Sequence, residues 1–471
     1  MANLKIQSRI LTTFSQKKRM ENTKQPRSER FDALIVGAGV CGLSLARLLA
    51  EGGQSVCVLE RNESVGGLAR TFDYGQSRFD IGPHRFHTAD EGVRQFILDT
   101  LGDDALSILR LSLVHFRDHY YHWPIHPSIQ LLRFPWRITA GIAFDLLFRL
   151  YRRKPPHTFA DYIQNMYGRT LYDVFFRDYS SKFLGIPPEE TDADWAKTGI
   201  DRAIIDERLQ INTLWELVRS IIVGSGRVET QFIYPRGGIG VFSQKLKASI
   251  ESSGGQILCG HPVSKMEIEG DTIKALHAGD RRFEASRVYW TAPITHLSNL
   301  CGVGQKPSAS LRYLDIVFYN ITAKKRLGPD FQWCYFGEKE IPFTRVSRPE
   351  AFDPEMSAEG TSSLCVEVSA PKDQAIWANP EAGQAKIIEH LVKSGLLEKA
   401  SDVVECRIER VPECYPIYSS GYRNELAALK KALSQFENLT LSGRTGLFWY
   451  NNMDHSIAAA LKLGNSSSKS I

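Results

Sequence analysis

Three glycines at a fixed spacing are the first residues in this sequence whose types could do chemistry. Gly37, Gly39 and Gly42 follow an apolar run at residues 33–36 and precede an apolar helical pattern. The first glycine permits a tight turn, the second lets a pyrophosphate approach the backbone, and the third allows close helix-to-strand packing. The unpaired N–H groups at the start of the following helix attract phosphate oxygens. The spacing therefore predicts a dinucleotide-binding turn.

An acidic residue follows at the distance that suits a ribose-binding carboxylate. Glu60 ends a second apolar strand, expected over residues 55–60, and lies 18 residues after Gly42. A carboxylate in this place can accept hydrogen bonds from ribose hydroxyls. The first strand, the glycine turn, a helix over residues 43–50 and the second strand make a βαβ unit, which leaves NAD and FAD as alternative cofactors.

The loop after the second strand distinguishes these two cofactors. Residues 60–71 contain the pair Gly66-Gly67 and resemble the E-x(5)-G-G-x-x-x-T segment of flavin amine oxidases, phytoene desaturases, protoporphyrinogen oxidases and UDP-galactopyranose mutases. In those families the loop lies along the FAD diphosphate, and a plain nicotinamide dehydrogenase does not need it. The resemblance implies FAD as the cofactor and assigns these loop residues to its site: Glu60, Arg61, Gly67, Leu68 and Arg70.

A second segment narrows the resemblance to one of these four families. Residues 80–88, which include Gly82-Pro83-His84, resemble the G-P-H-x-F-H-T segment of the UDP-galactopyranose mutases. The resemblance implies that His84 lies against the flavin ring, where its imidazole could donate toward N5 or O4 and stabilise the reduced form. The structural alternative is a packed histidine bonded to backbone, and this alternative carries more weight for His87.

A third segment is similar to the G-R-x-G-x-x-x-Y-x-x-M-D element of the same mutases and covers residues 441–457. The resemblance implies that Arg444 meets the FAD diphosphate or the flavin edge. The backbone of residues 452–456 would reach the pyrimidine side of the ring, where a helix start favours the negative charge of reduced flavin. We assign these further residues to the cofactor site: Val263, Gly443, Asn452, Met453, Asp454 and Ser456.

Substrate residues follow from shorter resemblances. Residues 342–346 resemble the Y-T-R-I element of the mutases, whose arginine grips a nucleotide diphosphate, and Tyr415-Pro416 resembles their Y-Y-P element. A guanidinium can bind phosphate bidentately, but Arg345 could instead pair with a carboxylate. The catalytic candidates are then His84, Arg345 and Tyr450. The substrate-binding candidates are Tyr179, Arg202, Arg345, Tyr415 and Tyr450.

One short run departs from the mutase pattern. The mutases carry a tryptophan in a K-x-W-G element beside the uridine site, whereas residues 182–185 of this chain read Lys-Phe-Leu-Gly. Uridine recognition is therefore not implied. The resemblance is dense at the cofactor segments and sparse among the substrate residues.

The elements that must position these residues are scattered along the chain. Strands are expected at residues 288–293, ending at a proline, and at 439–443, with a small β-meander at 256–259, 263–268 and 272–276 and a helix from Ser456. We therefore predict an α/β fold with a glutathione-reductase-type FAD-binding Rossmann domain built from discontinuous segments. Its segments would be 31–90, 231–300 and 436–471, with a mainly helical inserted lobe at 91–230 and a mixed-sheet substrate lobe at 301–435.

The distribution of charge argues against a nucleic-acid-binding protein, and the spacing of the cysteines argues against a metal site. The chain has 471 residues and a net charge of +5, but residues 1–30 hold eight Lys or Arg and two Glu, so the remainder sums to about −1. We interpret residues 1–30 as a basic flexible tail and expect no nucleic-acid partner. The eight cysteines show neither C-x-x-C pairs nor metal-ligand spacing, which indicates reduced thiols, a cytoplasmic location and no metal.

The most apolar stretch, residues 125–151, is interrupted by four charged residues and is not predicted to span a membrane. Trp136, Ile138 and Ile142 recur at helical spacing and favour an amphipathic core helix, with docking on a membrane surface as the alternative.

The leading hypothesis is an FAD-dependent enzyme that resembles UDP-galactopyranose mutase and isomerises the ring form of a nucleotide-linked or lipid-linked sugar. In the family mechanism reduced flavin is the nucleophile, so no Ser-His-Asp triad or carboxylate pair is required. A reductant such as NADPH and a homo-oligomer are compatible with this hypothesis. The alternatives are an FAD-dependent oxidoreductase of the amine-oxidase, protoporphyrinogen-oxidase or desaturase type, and a non-catalytic flavin-binding scaffold.

Overall fold

The computed structural model describes residues 28–123, 135–148, 155–197, 231–302 and 311–467. The first strand begins at Ser28, three residues inside the predicted tail. The rest of that tail and the substrate candidate Arg202 lie outside the described residues.

A seven-stranded sheet carries the predicted glycine turn. Its spatial order is Val263–Glu269, Thr272–Ala278, Arg281–Trp290, Ser28–Val36, Val56–Leu59 and Gln256–Leu258, and Leu439–Leu441 also pairs with Arg281–Trp290. The strands around Ser28–Val36 are parallel to it, as a βαβ unit requires. The sheet therefore draws its strands from three separated parts of the sequence.

The β-meander differs in composition from the prediction. Gln256–Leu258 is not part of it, because this strand pairs in parallel with Val56–Leu59 at the far edge of the sheet. The meander instead ends with Arg281–Trp290, whose residues 281–284 pair antiparallel with Thr272–Ala278. Further along the same edge, residues 288–290 pair in parallel with Leu439–Leu441. One long strand thus joins the meander to the parallel part of the sheet.

Three helices form a layer on this sheet. Val40–Glu51 follows the glycine turn, and both Gly240–Ser252 and Met453–Ser467 pack against it. The residues at their contacts are fully buried and apolar, such as Leu43, Phe242 and Ile457. The helix Met453–Ser467 begins three residues earlier than predicted, which places its first turn at the glycine turn.

A second seven-stranded sheet forms the other lobe. Its order is Val403–Tyr418, Leu311–Ala323, Ser362–Ser369, Arg345–Ser347, Trp333–Phe336, Ser112–Phe116 and His119–His122. Two of these strands come from the stretch predicted to be mainly helical. They join the sheet because Ser112–Phe116, which is buried at its first four positions, pairs in parallel with Trp333–Phe336.

Smaller elements connect the two sheets. Two-stranded sheets pair Thr71–Asp73 with Arg78–Asp80, and Ala105–Leu109 with Gln231–Pro235. The remaining α-helices of the described ranges are Glu91–Leu101, Trp136–Phe148, Phe159–Tyr167, Arg169–Leu171, Arg177–Leu184, Ile294–Cys301, Ala375–Ala378, Gln384–Lys393, Tyr422–Leu433 and Gly443–Gly446.

The helix Trp136–Phe148 corresponds to part of the apolar stretch noted above. Ile142 is buried as expected of a core helix, but Trp136 is 75% exposed and does not belong to the core. Within the described ranges, no helix is both long and apolar enough to cross a bilayer.

Candidate active site

The structure gives a different reason for each of the three glycines in the turn. Gly37 has φ +104°, and a Cβ there would lie 2.6 Å from Thr291 Oγ1. A Cβ on Gly42 would lie 2.1 Å from the carbonyl oxygen of Gly37, because Gly42 is inside the first turn of the helix Val40–Glu51. Gly39 has no neighbouring atom within 4 Å of its ideal Cβ position. This open space is where a ligand could approach the backbone.

The Gly66-Gly67 loop packs directly onto the glycine turn. The N–H of Gly66 donates to the carbonyl of Ala38 at 2.7 Å, and a Cβ on Gly67 would lie 3.1 Å from the Cα of Gly39. Both loop glycines have positive φ, +110° and +58°, which L side chains rarely adopt. The two loops therefore form one backbone surface that larger residues would separate.

Glu60 fastens this surface to the end of the second strand. Its buried carboxylate accepts from Ala38 N at 2.7 Å, from Asn62 N at 2.9 Å and from Asn62 Nδ2 at 2.6 Å. An ionised carboxylate offers about four acceptor directions. Glu60 thus keeps about one for a ribose hydroxyl.

These loops border a long cleft with about 1210 Å³ of empty space, including its mouth. Fourteen of the predicted cofactor residues line it: Gly37, Gly39, Glu60, Arg61, Gly67, Leu68, Arg70, His84, Val263, Gly443, Arg444, Asn452, Met453 and Ser456. Gly42 lies beneath the turn rather than in the wall, and Asp454 points to His455 at 3.0 Å.

The charges of the cleft suit a phosphate-rich ligand. Arg70 has a buried Nε with no hydrogen-bond partner among the described residues, and burial lowers the pKa of its guanidinium. Arg444 donates to backbone carbonyls of Cys414 and Asn451 rather than to a carboxylate. The helix that starts at Val40 has no capping side chain and no acidic residue in its first turn. An anion would satisfy the donors of Arg70 and of the helix start, and it would balance the positive charge of Arg444.

His84 is partly exposed to the cleft. Its Nδ1 is buried without a hydrogen-bond partner among the described residues. Burial, together with Arg444 and Arg345, lowers the pKa of His84 to about 3, so the imidazole is neutral near pH 7. The structure thus leaves a neutral ring nitrogen for a ligand. His87 instead has its Nδ1 3.3 Å from the carbonyl oxygen of Gln231, which agrees with the structural alternative.

The tyrosines predicted to bind substrate meet in an aromatic wall, which consists of Tyr179, Phe183, Trp195, Tyr415 and Tyr450. Trp195 stacks on Tyr450 with ring centroids 4.7 Å apart, and Tyr415 contacts Tyr450 edge-on at 5.2 Å. The ring of Phe183 contacts Tyr415 edge-on and stacks on Tyr179, so it lies between these two tyrosines. Burial raises the pKa of Tyr179 and Tyr450, so both hydroxyls stay protonated.

Sequence reasoning did not assign Trp195 to the site. The residue is nearly buried and stacks on the predicted catalytic candidate Tyr450. No motif or spacing in the sequence relates these two residues, because they come from distant segments. Only the folded chain shows the contact.

Arg345 lies near this wall but is already paired. Its Nε and Nη2 donate to the two carboxylate oxygens of Glu367 at 2.6 and 2.7 Å, and Glu367 is 1% exposed. A Cβ on Gly82 would lie 3.2 Å from Arg345 Nη2, so the ion pair sits directly under the turn that carries His84. The two N–H groups of Arg345 that were predicted to hold a diphosphate are therefore occupied by Glu367. The resulting ion pair supports the turn.

The chain resembles known proteins over most of its length. The family model described as flavin containing amine oxidoreductase matches residues 40–449. A probable UDP-galactopyranose mutase of Klebsiella pneumoniae is 23% identical over 445 residues, which is 91% of this chain and 92% of that protein. An all-trans-retinol 13,14-reductase of Homo sapiens is 36% identical, but over only 85 residues, 18% of this chain and 14% of the reductase.

Solved structures share the fold. The crystal structure of a reduced UDP-galactopyranose mutase superposes with a TM-score of 0.79 at 23% identity and covers 95% of this chain and 96% of its own. A protein assigned as a protoporphyrinogen oxidase, from Exiguobacterium sp. 255-15, has a TM-score of 0.74 at 15% identity, with 94% and 99% covered. The predicted α/β fold is thereby confirmed. Because the family model spans far more than half of the sequence, the chain belongs to the flavin-containing amine oxidoreductase family.

Proposed function

We propose that this FAD-dependent enzyme isomerises the ring form of a nucleotide-linked or lipid-linked sugar while its flavin stays reduced. The proposal rests on the full-length likeness to a mutase and on the positive charge of the substrate side, by which we mean the aromatic wall and the arginines beside it. Reduced FAD would supply a nucleophile for the anomeric carbon of such a sugar. The residues of this chain have the complementary tasks of binding, orientation and exclusion of water.

The residues of the cleft fit FAD. The open backbone at Gly39 and the unpartnered Nε of Arg70 suit its diphosphate, and the remaining acceptor of Glu60 suits a ribose. The helix start at Met453 lies in the cleft wall and favours negative charge there. We assign the flavin contact to the free Nδ1 of His84, which can donate or accept because the ring is neutral.

The observation that carries the substrate class is the excess of arginine beside the aromatic wall. The electrostatic neighbours of Arg85 are Arg110, Tyr335, Arg345 and Tyr450. Arg345 pairs with the carboxylate of Glu367, whereas Arg85 has no carboxylate partner among the described residues. A cationic surface attracts a phosphate-bearing sugar and repels a protonated amine. It therefore favours the mutase-like reaction over amine oxidation.

The aromatic wall supplies the other part of the binding surface. Stacked rings such as those of Trp195 and Tyr450 present apolar faces that suit a sugar ring or a base. The protonated hydroxyls of Tyr179 and Tyr450 can donate to phosphate oxygens. Because the wall is largely buried, it also keeps water from the reacting centre.

The second candidate function is a net oxidation or reduction. It is favoured by the shorter matches to a retinol reductase and to an L-amino-acid oxidase of Crotalus adamanteus, which is 45% identical over 64 residues. These matches cover 18% and 14% of this chain. The same cofactor segments serve both chemistries, so the two functions are separated by the substrate side.

The test is an anaerobic assay with purified holoenzyme reduced by dithionite. UDP-galactose or UDP-galactofuranose is added, and both the flavin spectrum and the sugar products are followed. We expect ring interconversion that needs reduced flavin and leaves its redox state unchanged. Oxidised holoenzyme is the control. Stoichiometric change of the flavin spectrum without ring interconversion would instead establish an oxidoreductase.

A further inference from the structure

We propose that Arg85 and Trp333, with Arg110 beside them, form the anion site that holds the phosphate group of the substrate. This inference deepens the proposed function and rests on it for the identity of the sugar. No sequence motif assigned a role to any of the three residues. The site lies next to the turn of His84, because Arg85 follows that residue in the chain.

Two guanidinium groups lie on one indole ring. The Cζ atom of Arg85 is 4.2 Å from the ring centroid of Trp333, and the Cζ atom of Arg110 is 5.4 Å from the same ring. Like charges at this separation repel, and burial together with Arg110 lowers the pKa of Arg85 to about 10. Stacking on Trp333 compensates in part. A bound anion would remove the remaining repulsion.

Arg85 has hydrogen-bonding capacity to spare. It makes a 3.5 Å contact from Nη1 to the carbonyl of Pro83, and it has no carboxylate partner among the described residues. A guanidinium offers five N–H donors in a planar fork that matches phosphate oxygens. Arg345, the arginine that the sequence nominated for this task, has its fork occupied by Glu367. The geometry therefore shifts the phosphate contact to Arg85.

Trp333 adds a donor that the protein leaves unsatisfied. Its side chain is 1% exposed, and its Nε1 has no acceptor among the described residues. A buried donor without a partner is destabilising, and native structures contain few of them. An oxygen of a bound phosphate could accept from this N–H while it also accepts from the guanidinium.

The anion site connects to the aromatic wall through one tyrosine. Tyr335 stands two residues after Trp333 on the strand Trp333–Phe336, so both side chains share one face of the sheet. The ring of Tyr335 contacts Tyr179 edge-on at 5.8 Å. A phosphate at Arg85 would thus lie beside the surface proposed to hold the sugar or base.

The ligand chemistry is a diphosphate ester, which could belong to a nucleotide or to a lipid carrier. Oxidised holoenzyme is titrated calorimetrically with inorganic pyrophosphate, UDP and geranyl diphosphate. Binding of UDP but not of geranyl diphosphate identifies a nucleotide carrier, and the reverse identifies a lipid carrier. Binding of pyrophosphate alone shows that the site recognises the diphosphate without its carrier. If none of the three binds to the wild type, the inference is wrong.

Three variants test the residues. Arg85→Gln should weaken diphosphate binding about 10- to 100-fold, the usual range for one lost charge-assisted contact. Trp333→Phe keeps an aromatic face for Arg85 but removes the N–H, and should weaken binding severalfold. The matched control is Arg94→Gln, since this arginine is half exposed on the helix Glu91–Leu101 and pairs with Glu91. Its affinity should stay within twofold of wild type.

A chemical experiment on the wild type covers the case in which Arg85→Gln does not fold. Phenylglyoxal should modify Arg85, and pyrophosphate should protect it, as read by peptide mapping. Unchanged affinity in a folded Arg85→Gln holoenzyme, or no protection, would overturn the anion site. If diphosphate binds through Arg85 but no sugar is converted, the anion site stands and the proposed function fails. If sugar is converted and Arg85→Gln behaves as wild type, the proposed function stands and the anion site fails.

Discussion

The cofactor cleft and the substrate side meet at His84, but backbone atoms form most of the first surface and side chains form the second. The cleft is made of backbone, namely two glycine loops in van der Waals contact and the exposed starts of two helices. The substrate side is made of side chains that come from Arg177–Leu184, from Val403–Tyr418 and from the two further segments that carry Trp195 and Tyr450. The first region depends on the absence of side chains, whereas the second depends on which side chains pair with one another.

This difference predicts how each region fails. A backbone surface is disrupted when an atom is added, because the loops cannot move apart without losing their hydrogen bonds. A side-chain surface is disrupted when an atom is removed, because a buried partner loses its counterpart. Four predictions test this distinction, in decreasing order of effect.

The largest effect is expected at the buried ion pair of the substrate side. Glu367→Ala leaves the guanidinium of Arg345 buried without a counter-charge, and such a loss costs about 3–5 kcal/mol. The free energy of unfolding, measured in urea, should fall by this amount. The control is Glu413→Ala, which breaks the half-exposed pair with Arg61 at the cleft and should cost at most about 1 kcal/mol. Equal losses in the two variants would remove the distinction between the regions.

A smaller effect on stability, but a complete one on the cofactor, is expected at the glycine turn. Gly42→Ala places a Cβ 2.1 Å from a backbone oxygen, so the apoprotein should lose about 3 kcal/mol and bind little FAD. Gly39→Ala meets no protein atom and should leave the apoprotein as stable as wild type. Its FAD affinity should still fall at least about tenfold, because the methyl group occupies the ligand side of the turn. Wild-type FAD affinity of Gly39→Ala would contradict the assignment of the cleft.

The next prediction concerns the loop behind the aromatic wall. Lys182 Nζ lies within hydrogen-bonding distance of four backbone carbonyls, those of Phe336, Glu338, Ile341 and Phe343, which share its three N–H donors. Burial lowers the pKa of Lys182 to about 8, and the carbonyls compensate for its desolvation. Lys182→Met should destabilise the protein by about 2 kcal/mol and weaken substrate binding while FAD stoichiometry stays at wild type. Loss of FAD from this variant would show that the two regions are not independent.

The smallest effect is an expected lack of change at His84. Its pKa is lowered to about 3, so the ring should stay neutral from pH 8 down to about pH 4.5. In the unfolded chain the ring would take up a proton near pH 6.5. The stability that depends on a neutral His84 is therefore complete above pH 6.5 and declines as the pH falls toward 3.

The measurement for His84 is an NMR titration of histidine labelled with carbon-13, in which His84→Gln assigns the resonance. A constant chemical shift between pH 7.5 and pH 5 is expected. A midpoint near pH 6.5 would mean that His84 carries charge when substrate binds, and would remove the basis for a neutral contact.

The cofactor cleft could be predicted from the sequence because its determinants are local. Gly37, Gly39 and Gly42 occupy a short span of chain, and a Cβ on Gly42 would meet the backbone of Gly37 within the same turn. The apolar runs at residues 33–36 and 55–60 also predicted two strands, which pair in parallel in the structure. The meander was partly wrong, since nothing in the short run at residues 256–258 shows which strand it will pair with.

The tertiary structure decided the substrate side. The stacking of Trp195 on Tyr450, the capture of Arg345 by Glu367 and the placement of Arg85 on Trp333 all join residues that are far apart in sequence. A sequence states which side chains exist, whereas pairing depends on how strands align across a sheet and which lobes touch. The sequence by itself therefore determined the cofactor and the glycine loops that line the cleft, because backbone geometry is set by neighbouring residues. Only the folded chain determined which arginines remain available for substrate, because that depends on contacts between distant segments.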